Sequence, residues 1–194
     1  MNSPGRLYLI PAPIGGTDPL RSLPPETIAA MRGIRHFVVE SERTAARLLS
    51  SVLSREALRE TSFWILDEHT PANSIPGLLE PALAGQDIGL MSEVGCPCIA
   101  DPGSGLVAEA HRLGMRVLPL AGPSSILMAL MASGFNGQSF VFLGYLPARA
   151  EKRRATLKRI EGEARRDGST RVFIETPYRN RVLLEDALKV LDGG

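Results

Sequence analysis

Short apolar runs alternate with longer amphipathic stretches along the first two thirds of the chain. The apolar runs predict strands at 7–11, 35–39, 62–66, 87–91 and 115–120. The stretches between them predict helices at 24–31, 41–52, 75–84 and 104–113. Repeated alternation of strand and helix is typical of a parallel sheet with helices on both faces. We therefore expect an α/β fold.

The alternation restarts after Pro123. A helix at 124–133 is apolar almost all round, so we expect it to be buried and to lead out of the first domain. The remaining pattern predicts strand 139–143, helix 150–166, strand 171–175 and helix 181–191. We expect an N-terminal α/β domain at 1–121 and a C-terminal α/β domain at 122–194. Two strands are few for an independent sheet, so we expect the second domain to be incomplete.

Glycine, proline and small hydroxyls concentrate where the predicted strands end. They occur in the segments 13–17, 92–97, 100–103 and 121–125. Open α/β sheets bind ligands at the carboxyl ends of their strands, and glycine lets the backbone turn sharply or approach a ligand. We expect these bends to converge on one crevice built from backbone.

Charge is distributed unevenly although the net charge is +1. Residues 149–181 contain eleven Arg or Lys against five acids, so this basic segment carries +6 and the remainder −5. A clustered basic face indicates a partner with a phosphate backbone. The alternative is an ordinary solvated helix surface.

Several classes of protein are disfavoured by the sequence. We expect no metal site, because Cys96 and Cys98 are one residue apart and the three histidines are scattered. No apolar run approaches the roughly 20 residues of a membrane span, so we expect a cytoplasmic protein without a membrane partner. Neither GxxxxGK[ST] nor a strand-following GxGxxG occurs, which disfavours a nucleotide-binding site.

Five motifs occur in a defined order. They are 7–15, 39–44, 92–97 with 100–103, 122–125, and 142–147 followed by 174–179. Together they resemble the tetrapyrrole methylase-like (class III) S-adenosylmethionine-dependent methyltransferases. The resemblance is strongest to the branch that methylates a cytidine ribose 2′-hydroxyl in small-subunit ribosomal RNA. It covers nearly the whole chain.

The resemblance implies two α/β domains with the cofactor S-adenosylmethionine in the cleft between them, and a homodimer. It also implies that the family continues past the helix predicted to end at Leu191. Carried over by motif, the donor pocket consists of Pro13, Ile14, Gly15, Val94, Gly95, Cys96, Ile99, Ser124, Ser125, Leu143, Gly144 and Tyr145.

Three motifs depart from the usual family pattern. The family usually has Asp-Ala-Gly-Thr-Pro at 93–97, Glu-Asp-Thr-Arg at 40–43 and Gly-Asn at 15–16. Here these are Glu-Val-Gly-Cys-Pro, Glu-Ser-Glu-Arg and Gly-Gly. The departures leave the donor assignment intact and leave the methyl acceptor open.

Methyl transfer from a sulfonium is an in-line displacement that depends on positioning and on the placement of charge. A carboxylate that accepts the proton of a ribose hydroxyl would help, and the candidates are Glu40, Glu93 and Glu175. Each could instead cap a helix or pair with Arg43 or Arg179. Those two arginines could bind substrate phosphates or only pair with local carboxylates.

Other residues near the motifs have plainer interpretations. We expect Cys96 to line the pocket and not to act as a nucleophile, since no histidine is nearby in sequence. Ser124 and Ser125 could cap a helix alone, or cap it and contact the donor. We expect Asp101–Gly103 to be a helix-start turn and Trp64 to pack on an edge strand.

Three functions remain under consideration. The first is a transferase in ribosomal RNA processing, a methyltransferase acting on a ribose 2′-hydroxyl. The second is a methylase of a small molecule such as a tetrapyrrole, against which the basic segment speaks. The third is a donor-binding, RNA-associated protein without catalysis.

Overall fold

A computed structural model describes residues 3–192. The chain divides into two compact units, Met1–Ser124 and Ser125–Gly194. The outer ends of the two expected domains, residues 1–2 and 193–194, lie outside the described residues. The boundary expected after residue 121 stays a prediction about domains.

The first unit alternates strands and helices. Its strands are β1 (Leu7–Ile10), β2 (His36–Val39), β3 (Ser62–Ile65), β4 (Ile88–Met91) and β5 (Val117–Pro119). Its helices are α1 (Pro19–Ser22), α2 (Pro25–Gly33), α3 (Glu42–Leu49), α4 (Arg55–Arg59), a 3₁₀ helix Ala72–Leu79, α5 (Glu80–Leu83) and α6 (Gly103–Arg112). The strands form one parallel sheet in the order β3-β2-β4-β1-β5. The expected α/β fold is confirmed.

Two apolar cores lie on the two faces of this sheet, because successive side chains of a strand point to opposite sides. Val38 and Leu90 belong to one core, together with Leu106 of α6. Phe37 and Met91 belong to the other, which includes residues of α2 and α3. The central strand β4 is buried along its whole length. Helices therefore cover both faces, which leaves the ends of the strands as the place for a site.

Prolines explain where helix prediction was wrong in this unit. The single helix expected at 75–84 is a 3₁₀ helix followed by the short α5, because Pro76 and Pro81 lack the N–H that a continuous α-helix needs. The short helices α1 and α4 were not predicted. Trp64 lies on the edge strand β3 and packs against one of the cores, as expected.

The second unit contains two parallel strands and two long helices. Its elements are α7 (Ser125–Ser133), β6 (Phe140–Tyr145), α8 (Ala150–Asp167), β7 (Thr170–Ile174), a 3₁₀ helix Pro177–Arg179 and α9 (Asn180–Val190). β6 and β7 form a two-stranded sheet. Leu146, Leu157 and Ile160 form its small buried core.

Helix α7 differs from the prediction that it is buried. Within this described helix, Leu130 is the buried residue, while Leu127, Met128 and Met131 are exposed, the last to 84%. An all-round apolar helix needs cover on every side, and here only one side of α7 has it.

Candidate functional site

The loops that follow β1 and β4 are joined by backbone hydrogen bonds at the carboxyl edge of the first sheet. The Ala12 N–H donates to the Gly95 carbonyl at 2.8 Å, and the Gly95 N–H donates to the Ala12 carbonyl at 3.1 Å. β1 and β4 are neighbours in the sheet, so their loops leave side by side. Gly95 adopts a left-handed φ of 73°, which glycine tolerates without strain. Two of the motifs thus form one structural element.

The loop after β5 joins the same element. The Cys96 thiol contacts the Pro123 carbonyl at 3.5 Å, and the Thr27 hydroxyl donates to the Ala121 carbonyl at 2.8 Å. A Cβ on Gly122 would lie 2.2 Å from Cγ of Pro11, so only glycine fits there. The structure therefore brings together the predicted bends after β1, β4 and β5.

The predicted donor-pocket residues of the first unit lie on this joined edge. Val94 and Ile99 are exposed apolar side chains, at 62% and 50%, while Pro13, Ile14, Cys96 and Ser124 are partly exposed. Gly15 has a left-handed φ of 69° in an open loop. Val94 and Ile99 thus present apolar side chains to solvent at this edge.

The remaining predicted pocket residues belong to the second unit. Ser125 is the exposed first residue of α7. Leu143, Gly144 and Tyr145 end β6, where the pairing with β7 is irregular and Gly144 has a left-handed φ of 63°. Their part in a donor pocket stays a prediction.

The backbone is strained in the loop between β4 and α6. Cys98 and Ala100, neither of them glycine, have φ values of 68° and 61°. Such conformations persist only where the surroundings hold them, and they cluster at functional sites. The Asp101 carboxylate accepts hydrogen bonds from the N–H groups of Cys98 and Gly103, the latter the first residue of α6. The helix-start turn expected at 101–103 is present, while its hold on Cys98 was not foreseen.

Burial shifts the acidity of the groups around this loop. It raises the pKa of the Cys96 thiol, and together with the Asp101 charge it raises that of Cys98 to about 11. Both thiols therefore stay protonated at neutral pH, which fits a lining role for Cys96 and not a nucleophilic one. Burial also raises the pKa of Asp101, against the effect of its two backbone hydrogen bonds.

Two of the three candidate carboxylates lie beside this edge. Glu40 directly follows β2, and burial raises its pKa, with further contributions from the charges of Asp101 and Glu93. A backbone hydrogen bond from Glu93 acts in the opposite direction. The Glu93 side chain is exposed and accepts a hydrogen bond from the Thr44 hydroxyl at 3.1 Å. Glu40 is thus the half-buried member of the pair.

The third candidate, Glu175, is tied to Arg179. Its side chain is only 1% exposed, and its Oε2 lies 2.8 Å from Nη2 of Arg179. Its Oε1 accepts the N–H of Thr176 at 2.9 Å. The salt-bridge alternative considered for both residues is what the structure contains. Arg43 lies exposed in α3 and, across residues 3–192, has no carboxylate within 4.0 Å.

Most cations of the basic segment form ion pairs with carboxylates. Seven of its eleven cations lie within 4.0 Å of a carboxylate: Arg153, Arg154, Arg159, Arg165, Arg171, Arg179 and Arg181. Arg153 is also buried, where it binds Asp186 and the carbonyls of Pro147 and Ala148. The other four cations of this fully described segment, Arg149, Lys152, Lys158 and Arg166, have no carboxylate within 4.0 Å among residues 3–192.

Neither a metal cluster nor a membrane helix is found in the described part of the chain. Between residues 3 and 192, no three His, Cys, Asp or Glu side chains are arranged to hold a metal ion. No helix in that range has the length and apolar character needed to cross a membrane.

Curated relatives match nearly the whole chain. No protein-family model matches it. The chain is 33% identical over 187 residues to Ribosomal RNA small subunit methyltransferase I of Vibrio cholerae, covering 96% of this chain and 61% of the relative. It is 34% identical over 190 residues to the protein of that name in Escherichia coli O157:H7, covering 98% and 62%. The chain thus spans about three fifths of the length of these relatives.

Solved structures share the fold. The methyltransferase CobJ superposes with a TM-score of 0.64 at 20% identity, covering 98% of this chain and 78% of CobJ. Uroporphyrin-III C-methyl transferase from Thermus thermophilus, solved with S-adenyl homocysteine, gives 0.56 at 17% identity, covering 96% and 77%. The fold expected from the motifs is confirmed, because both methyltransferase structures share it over nearly the whole chain.

Proposed function

We propose that this chain is the donor-binding part of an S-adenosylmethionine-dependent methyltransferase that acts on a ribose 2′-hydroxyl of ribosomal RNA. The observation that carries the proposal is the hydrogen-bonded junction of the loops at Ala12, Gly95 and Pro123. The names of the curated relatives support a ribosomal RNA acceptor. We expect a homodimer in the cytoplasm.

The residues of the joined loops fit the donor. Val94 and Ile99 offer exposed apolar contacts for a nucleoside, and buried Gly95 holds the loop that carries Val94 against Ala12. When bound, S-adenosylmethionine supplies a methyl group activated by the positive charge on sulfur.

Among the candidate carboxylates we assign the proton-accepting role to Glu40. Its raised pKa makes it a stronger base than an ordinary carboxylate, and a base near the operating pH is the more effective. Glu175 is occupied by Arg179, and Glu93 is exposed. In the reaction, the Glu40 carboxylate would accept the proton of the ribose 2′-hydroxyl as its oxygen takes the methyl group, the carbon–sulfur bond breaks and S-adenosylhomocysteine leaves.

Contact with RNA phosphates is assigned to the unpaired cations. Arg43, Arg149, Lys152 and Arg166 are exposed. Cations without a carboxylate partner are free to replace the counterions of a phosphate backbone. Arg179 is removed from this role because it pairs with Glu175.

Binding of S-adenosylhomocysteine tests the donor site first. Millimolar ligand is expected to raise the melting temperature of the purified chain, because a ligand that binds only the folded state stabilises it. Absence of a shift at that concentration would exclude every methyltransferase version of the proposal.

Transfer of tritium from labelled donor tests the acceptor. We expect label in small-subunit ribosomal RNA, and a loss of about 100-fold or more in rate for Glu40→Gln with donor binding retained. Glu42→Gln, an exposed neighbour on α3, is the matched control. Label in a tetrapyrrole instead would favour the small-molecule methylase. Donor and RNA binding without transfer would favour the non-catalytic protein.

A further inference from the structure

The loop between β4 and α6 has a strained backbone and carries an exposed apolar side chain at the carboxyl edge of the first sheet. Ile99 is half exposed and stands between Cys98 and Ala100, both left-handed. A left-handed backbone costs roughly 1–2 kcal/mol for an L-residue other than glycine. Two such residues in one short loop therefore need an interaction that offsets this cost. Contacts with the surrounding structure must therefore hold the loop in this conformation.

The opposing interaction comes from Asp101. Its two carboxylate oxygens accept the Cys98 N–H at 2.8 and 2.9 Å, and Oδ1 also accepts the Gly103 N–H at 2.8 Å. Hydrogen bonds to an ionised acceptor are about twice as strong as neutral ones. The carboxylate thus ties the strained segment to the first residue of α6.

Close packing further restricts the backbone conformation of the loop. A Cβ on Gly103 would lie 2.8 Å from Cδ2 of Leu90 and 3.1 Å from the Cys98 sulfur, so Gly103 sits tight against both. At the other end, the Ser92 hydroxyl donates to the Gly95 carbonyl at 3.0 Å. Between these two anchored ends, the side chain of Ile99 is half exposed to solvent.

We infer that Asp101 is a positioning residue for the methyl donor, because it holds the strained loop in the conformation that presents Ile99 to the donor nucleoside. The inference rests on the proposed function. Asp101 itself touches backbone and has no part in the chemical step.

Affinity for S-adenosylhomocysteine, measured by calorimetry, tests this role. Asp101→Asn is expected to weaken binding at least about tenfold, since a misplacement near 1 Å at a binding site has large effects. Asp87→Asn is the matched control: Asp87 also accepts a backbone N–H, that of Arg6, but at the opposite end of β4. Asp87→Asn is expected to lower the melting temperature and leave the affinity unchanged.

Relief of strain distinguishes positioning from general stability. Glycine adopts a left-handed φ without strain, so Ala100→Gly in the Asp101→Asn background is expected to restore at least about threefold of the lost affinity. If Asp101→Asn does not fold, Ile99→Ala replaces it. That variant is expected to bind about tenfold more weakly at an unchanged melting temperature, as for loss of an apolar contact.

The outcomes separate the two proposals. If the unaltered chain does not bind S-adenosylhomocysteine, the proposed function fails. If the unaltered chain binds and Asp101→Asn or Ile99→Ala binds equally well, the role of Asp101 is refuted and the proposed function stands. Equal losses of affinity in the Asp101 and Asp87 variants would also refute it, because the effect would then follow stability alone.

Discussion

Replacing Gly122 with alanine should separate the loops that form the candidate site. The added Cβ would meet Cγ and Cβ of Pro11 at 2.2 and 2.4 Å, whereas ordinary contacts begin near 3.4 Å. A proline ring cannot rotate away, so the loop after β5 and the end of β1 must part by about 1 Å, and close-packed interiors transmit such strain.

The magnitude follows from known costs of overpacking. Inserting a methyl group into a well-packed site costs about 1–3 kcal/mol. In a unit of this size that lowers the melting temperature by roughly 3–10 °C. Because the same loops carry the junction of Ala12, Gly95 and Pro123, affinity for S-adenosylhomocysteine should fall at least about tenfold.

Thermal unfolding and calorimetry measure the two effects. Gly33→Ala is the matched control in the same unit, because Gly33 ends α2 with nothing within 4 Å of its missing Cβ. It should leave the affinity unchanged and leave the melting temperature the same or slightly higher, because alanine fits the helical backbone there. Equal melting temperatures and equal affinities for the two variants would refute the close approach of Gly122 and Pro11.

Three further substitutions test other parts of the chain. Leu157→Ala should cost about 2–5 kcal/mol in urea unfolding of the second unit, because Leu157 is completely buried, whereas exposed Leu188→Ala should change little. Asp186→Asn should lower the melting temperature at neutral pH by leaving buried Arg153 unpaired. Arg154 and Arg153 lower the pKa of Asp186, so this stabilisation is present above the ordinary carboxyl pKa and is lost as the pH falls. The melting temperatures of the variant and the unaltered protein should therefore converge in acid. Glu40→Gln should raise the melting temperature above the raised pKa of Glu40, where the charged form is disfavoured in the folded state, and the difference should vanish in acid.

The strands and the loop positions were predictable because they depend on local patterns. Apolar runs at β1, β2 and β4 match buried strands, and glycines at 15 and 95 have the left-handed φ that their position at sharp bends suggested. Parallel strands then carry all their carboxyl ends to one edge, so motifs far apart in sequence meet without further information.

The remainder depends on contacts that no local pattern encodes. Arg153 lies in a basic helix, and nothing in its neighbours shows that Asp186, 33 residues away, holds it in the core. Cys98 and Ala100 carry no sign of a left-handed backbone, since glycine is the residue that normally marks one. Helix α7 shows the converse, because an apolar composition does not specify what covers it.

The order of strands in the first unit also determines when β1 can pair as the chain is synthesised. Leu7 in β1 pairs with Ile88 and Val117, so the first strand to leave the ribosome waits for the last two before it has any neighbour. Such distant pairing delays folding and keeps early apolar segments open to aggregation. A nascent chain stalled before residue 88 would hold β1 without either of its neighbouring strands, and demand for chaperones should peak in that interval.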